Sequence, residues 1–263
     1  MNPDVVVYDE GENGQLIPYT PEPTASQNYL WDLFISNLEA VKEFANGDPI
    51  HVFHNGDLTQ GNKYRSAWVS TRLVDQIMIG TANMRPILDI PNVKSLKLSV
   101  GTEAHNFGEG SSEILVSEML SKEYPQKNIS VSYHGLVDVD GVTVDYAHHG
   151  PYPGSREWLK GNVARLYLRD LMYREIIAGK VPPRLIFRAH YHQYISVTET
   201  VGEYTSTLII TPSYSMLGDY AHKAVRSPDR ITHGMVISEV IDGRLKDIKP
   251  ILSTIDIRTK EKL

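Results

Sequence analysis

Residues 185–192, Leu185-Ile186-Phe187-Arg188-Ala189-His190-Tyr191-His192, set an apolar run directly against two histidines one residue apart. The first half reads as a buried strand, and the second half as its mouth, where the chain turns polar. Two imidazoles are costly to bury unless something takes their lone pairs or their protons. As strand-end residues they could face opposite ways, one packed and one solvated. As a pair they could instead hold a metal ion. The rest of the chain decides between these readings.

Other apolar runs end in the same manner. "PIHVFHNGD" runs into Asp57, "VKSLKLSVG" leads to Glu103 and His105, and "VTVDYA" leads to His148 and His149. Four predicted strands thus deliver Asp, Glu or His from their carboxyl ends, which in sheets of parallel strands form the crevice where ligands bind. A carboxylate with several imidazoles is a hard-to-borderline ligand set, suited to Zn, Mn, Fe or Ni. The joint pattern favours the metal reading of His190 and His192.

Between these strands the spacing of Tyr29, Leu30, Leu33, Phe34, Leu38, Val41 and Phe44 predicts a helix over 25–45. Further helices are expected over 64–84, 112–122 and 155–178, the last closed by Gly179 and the Pro182-Pro183 stop. "ISVSYHGLVDVDGVTVDYAHHG" reads as a hairpin turning at Asp140-Gly141. "TSTLIITPSY" and "HGMVISEVIDGRL" supply later strands, and residues 1–24 form an irregular arm around "VVVY". Helices and strands alternate early and strands dominate late, which points to an α/β protein of layered sheets. With no repeat and no clear linker, residues 1–263 read as a single domain.

Composition narrows the function classes. The chain has 263 residues, a formal net charge of −6 and no cysteine. Disulfides and thiolate metal sites are excluded, and any metal must sit on His, Asp, Glu, Asn or water. An acidic balance argues against extended nucleic-acid binding by charge alone. No apolar run approaches the ~20 residues of a membrane span, and no signal peptide opens the chain, so no membrane partner and an intracellular location are expected.

The order of the polar blocks resembles the calcineurin-like metallophosphoesterase superfamily, whose pattern runs D-x-H, G-D, G-N-H-[DE], a strand-end His, then G-H-x-H. Gly56-Asp57 matches the second block, "YAHHG" supplies the fourth, and "AHYH" matches the last with Ala189 in place of glycine. The third block stands as "GTEAH", with Glu103 and His105 where Asn and His occur in the family. This variant, with "TPSYSML" and "GMVISEV", resembles the phage-type branch. The resemblance spans Asp57 to about Val240 and implies an αββα sandwich of two mixed sheets flanked by helices. It also implies hydrolysis of phosphomonoesters or phosphodiesters, nucleotides or nucleic acid among them, by a metal-activated water in the cytoplasm of a phage's host.

The resemblance also implies roles. Asp57 would bridge two divalent metal ions, with an Asx turn as its plain alternative. His190 and His148 would bind the second metal and His192 the first, with His149 in an outer contact. Glu103 would take the asparagine slot, unless it is simply a surface carboxylate. His105 would protonate the leaving group, and Asn62 would contact the phosphate. His51, His54, His134, His222 and His233 read as structural.

The D-x-H block has no match upstream of Asp57. Either the chain starts downstream of it, as the Pro- and acid-rich opening suggests, or Asp9 substitutes as a lone ligand. The first metal site is then expected to be weak or empty. The alternative function is a catalytically weak or inactive protein of this fold that acts by binding.

Overall fold

The computed structural model describes residues 1–63, 69, 70, 72–107, 111–154, 156–216, 229–259 and 261. The chain divides into two compact units, Met1–Tyr133 and His134–Leu263. Both combine strands with helices, and the molecule has the mixed α/β class with several sheets that the sequence predicts.

The first unit opens with the hairpin β1 (Val7–Glu10) and β2 (Leu16–Tyr19). The arm of residues 1–24 therefore has regular structure where an irregular segment was expected. Helix α1 (Ala25–Ala45) has the predicted limits. Thr24 and Gln27 form a reciprocal capping box at its start, and Asn46, at φ 45°, closes it in the left-handed conformation. Then come β3 (Ile50–His54), α2 (Leu73–Leu88), β4 (Val93–Ser99), α3 (Ser111–Glu123) and β5 (Asn128–Ser132). Residues 64–68 and 71 of the helix expected over 64–84 lie outside the described residues; the described helix starts at Leu73. Strands β3, β4 and β5 pair in parallel. Their carboxyl ends accordingly leave one edge of the sheet together. Val5 and Val7 bury against Ala82, Met78 and Ile79 of α2, which anchors the arm.

In the second unit, β6 (His134–Val139) and β7 (Val142–Ala147) form the predicted hairpin. Asp140 and Gly141 turn it with φ 48° and 82°, the doubly left-handed turn that matches strand twist. "ISVS", expected in this hairpin, belongs instead to β5, because it pairs in parallel with β4. Next are α4 (Asn162–Ile177), β8 (Leu185–Arg188), β9 (Ile195–Val201), β10 (Tyr204–Ile210), β11 (Arg230–Ile241) and β12 (Arg244–Asp256). The five-stranded sheet runs β6-β7-β8-β10-β9, with β7, β8 and β10 parallel. Helix α4 begins seven residues later than predicted, after Gly161 at φ 89°. It places Ala164, Leu168, Leu171 and Met172 on one face against Ile186, Ile195, Val197, Leu208 and Ile210. Each full Leu or Ile burial contributes about 1.5–3 kcal/mol, so this face holds the unit's main helix to its sheet. No helix among the described residues is long and apolar enough to cross a membrane.

Candidate metal centre

In the second unit the chain leaves the parallel neighbours β7 and β8 through His148-His149 and Ala189-His190. The amide of Ala189 donates to the carbonyl of His148 at 2.9 Å, and Thr211 N, after β10, donates to Arg188 O at 2.8 Å. These bonds fix the strand ends in register. They bring His148, His149 and His190 together, with one ligating nitrogen from each within 4.8 Å of the others. Among the described residues this is the only group of three or more His, Asp or Glu side chains so arranged.

His148 is buried, His190 half-buried and His149 exposed. His148 Nε2 stands 3.2 Å from His190 Nδ1. Without a cation, one of these nitrogens must carry a proton and donate to the other. The spacing also suits a shared ion: two nitrogens each ~2.1 Å from one metal stand about 3.0 Å apart at a right angle and about 3.4 Å at the tetrahedral angle. A donor set of three imidazoles fits a borderline divalent cation such as Zn, Mn, Fe or Ni. The residues present therefore fit the group that the sequence implies.

His190 and His192 lie beyond the end of β8, with φ of 74° and 52°. The strand alternation invoked for their directions does not apply there, because both residues are left-handed. His192 does not join the three-histidine group. A histidine in this conformation is uncommon, and two separated by one residue mark backbone held by its surroundings.

Behind the cluster lies a network that sequence reasoning missed. Arg188, 1% exposed, pairs through Nη1 with Asp145 at 2.6 Å, and its Nε and Nη2 donate to Tyr167 Oη at 3.2 and 3.1 Å. His134 Nε2 lies 2.8 Å from Asp145 Oδ2. A Cβ on Gly150 would meet Arg188 Cβ at 2.6 Å, so this glycine lets the loop after His149 lie directly on the arginine. The charged pair sits inside the apolar runs "VTVDYA" and "LIFRA", where one polar letter was the only available signal.

In the first unit, Asp57 follows β3 at φ 58°. Its Oδ1 accepts from Thr102 N at 2.6 Å, and Thr102 Oγ1 lies 3.4 Å from Oδ2. A Cβ on Gly101 would fall 2.2 Å from Asp57 Oδ1 and 2.4 Å from its nitrogen, so the carboxylate occupies space that only glycine leaves open. The loops after β3 and β4 are tied further: Thr59 Oγ1 donates to His105 O at 2.7 Å, and His105 Nδ1 lies 3.1 Å from Gln60 O. Since a carbonyl only accepts, His105 Nδ1 carries the proton in that bond. Glu103 is exposed in the short 3-10 turn over 103–105. Asn62 is exposed beside Gly61, and Asp9 lies on β1 with Oδ1 accepting from the amide of Glu10 at 2.8 Å.

Glu113, in the first turn of α3, is a second missed carboxylate. It is fully buried, its Oε1 accepts from Leu58 N at 3.3 Å, and Ser112 Oγ donates to Oε2 at 2.8 Å. Burial pushes its carboxyl above the usual range; those hydrogen bonds oppose the shift, and the charge of Asp57 adds to it. Its sequence position reads as an ordinary helix start, which hid it. His51 Nδ1 lies 2.8 Å from Ser95 Oγ, His134 Nε2 lies 2.8 Å from Asp145 Oδ2, and His222 lies outside the described residues.

No family model and no curated protein matches the chain. Among solved structures, the chain is similar to the sulfate thiohydrolase SoxB of Thermus thermophilus in complex with glycerol, at a TM-score of 0.36 and 12% identity. The match covers 85% of this chain and 42% of that one, so the chain spans less than half the length of the SoxB chain.

Proposed function

We propose that the chain is a metal-dependent phosphoesterase in which His148, His149 and His190 hold a divalent cation. The observation that carries this reading is the convergence of these histidines at the carboxyl ends of β7 and β8. The phosphoester part draws support from the order of the blocks "GD", "GTEAH", "YAHHG" and "AHYH". When bound, such a cation polarises a phosphoryl oxygen and lowers the pKa of a coordinated water.

The chain's own residues supply the rest. On the order of the sequence blocks, Asp57, Glu103 and His192 are proposed as metal ligands, and Asp9 as a candidate for the missing block. Asp57 is presented in one orientation by Thr102 and by the open space at Gly101. His105 donates a proton to the leaving oxygen from Nε2, while its Nδ1–H stays on the Gln60 carbonyl and fixes the ring. Asn62 contacts the phosphate.

The test is hydrolysis of bis-p-nitrophenyl phosphate and p-nitrophenyl phosphate with added Mn, with and without chelator. Chelator-sensitive turnover of either ester is expected. Metal binding with no turnover of either would make the chain a binding protein instead. Asp57→Asn should remove metal and activity together. His105→Ala should keep the metal content while slowing turnover by ~10²-fold or more, the usual worth of a positioned acid. Loss of metal in His105→Ala would make His105 a ligand.

A further inference from the structure

The histidine cluster continues outward as a chain of aromatic rings. The His190 ring lies 5.0 Å from that of Tyr191, centroid to centroid, at 79°, and Tyr191 lies 5.5 Å from Tyr152 at 72°. Both contacts are edge-to-face, so each pair leaves ring surface that is not stacked on its neighbour. Tyr191 is half-buried and Tyr152 is 49% exposed. The loop that carries Tyr152 is held at both ends. Gly150 rests on Arg188, and the amide of Gly161 donates to the carbonyl of Pro153 at 3.4 Å.

An exposed tyrosine on an anchored loop, set edge-to-face against a half-buried tyrosine beside a cluster of imidazoles, is placed to receive a flat ring rather than to fill a core. We propose that Tyr191 and Tyr152 form a stacking platform that selects small phosphoesters carrying an aromatic ring. The proposal rests on the phosphoesterase reading: the phosphate lies at the histidines, and the ring attached to it lies on the tyrosines. A nucleobase and an aryl group share this chemistry. A long polyanion does not suit the site, since the chain carries a net charge of −6. A mononucleotide is therefore the substrate class that the platform fits.

The experiment compares adenosine 5′-monophosphate, ribose 5-phosphate and phenyl phosphate on the Mn-loaded protein, by steady-state hydrolysis and by calorimetric binding. The nucleotide should show a KM and a Kd at least ~5-fold below those of ribose 5-phosphate. Tyr152→Ala and Tyr191→Ala should each weaken the nucleotide by about 5- to 150-fold, the usual worth of a base stacked on an aromatic ring. Tyr152→Ala should leave ribose 5-phosphate unchanged, and Tyr152→Phe should retain the preference. A preference for phenyl phosphate alone, lost in the same alanine variants, would keep the platform and assign it to aryl esters. Equal constants for all three esters, or alanine variants that weaken all three alike, would overturn the proposal. If no ester is hydrolysed, the phosphoesterase reading fails, and the calorimetric preference for the nucleotide still tests the platform.

Discussion

Asp57, His190 and His192 share a property that residue type alone does not show: each has φ between 52° and 74°. The other described non-glycine residues with positive φ are Asn46, which caps a helix, and Asp140 and Asp242, which sit in hairpin turns. For ligand candidates the conformation is held by hydrogen bonds around the strand ends, and it aims side chains that a regular strand would send to alternate faces. His190→Gly tests this. Relief of the left-handed backbone and the added chain entropy of glycine are each of order 1 kcal/mol and opposite in sign. Those two effects nearly cancel, so thermal stability without metal should fall only by the about 1–3 kcal/mol of the lost bond to the buried His148, while metal affinity falls sharply. A larger loss of stability would make His190 a packing residue. The sequence exposed these residues because their types and order are unusual. It could not expose Glu113, since a Glu in the first turn of a helix is ordinary there.

At the scale of elements, glycines and buried charges hold the loops in place. Gly101→Ala puts a methyl against the Asp57 carboxylate and amide, and overpacking of this kind typically costs about 1–3 kcal/mol. Chemical denaturation should show that loss. Arg188→Ala leaves the buried Asp145 with His134 but without its arginine, and breaking a buried pair in this way typically costs up to about 3–5 kcal/mol. Adding Asp145→Asn to Arg188→Ala should recover part of it, as a double-mutant cycle would show. Elements with strong local signals were legible: α1 by its period and caps, and the β6–β7 hairpin by Asp140-Gly141. Others were set by partners distant in sequence. "ISVS" reads as half of a hairpin until β4 claims it, and "AHYH" reads as strand until two left-handed residues end it. In "QYISVTETV" the buried residues alternate along β9, but Ser, Thr and Glu between them weaken its apolar signal.

For the whole molecule, each unit carries a histidine whose folded pKa lies below the ordinary value. Burial lowers His51, helped by the charge of Lys97, and burial lowers His233 against the opposing bond to Ser213 O. In both cases the unfolded chain takes up the proton more readily, so stability rises with pH through the window between the folded and unfolded values. It is complete above the unfolded value of roughly 6.5 and is lost as pH falls below it. Unfolding followed between pH 5 and 8 should show this acid limb, and His51→Gln with His233→Gln should flatten it. The proposed cation at His148, His149 and His190 is open to calorimetric titration of the chelator-stripped protein with Mn or Zn. One tight equivalent followed by weaker binding is expected, with the tight phase lost in His148→Ala and in His190→Ala and weakened in His149→Ala. The same tight equivalent in a folded His148→Ala, His190→Ala double variant, or no binding by the folded wild type, would contradict it.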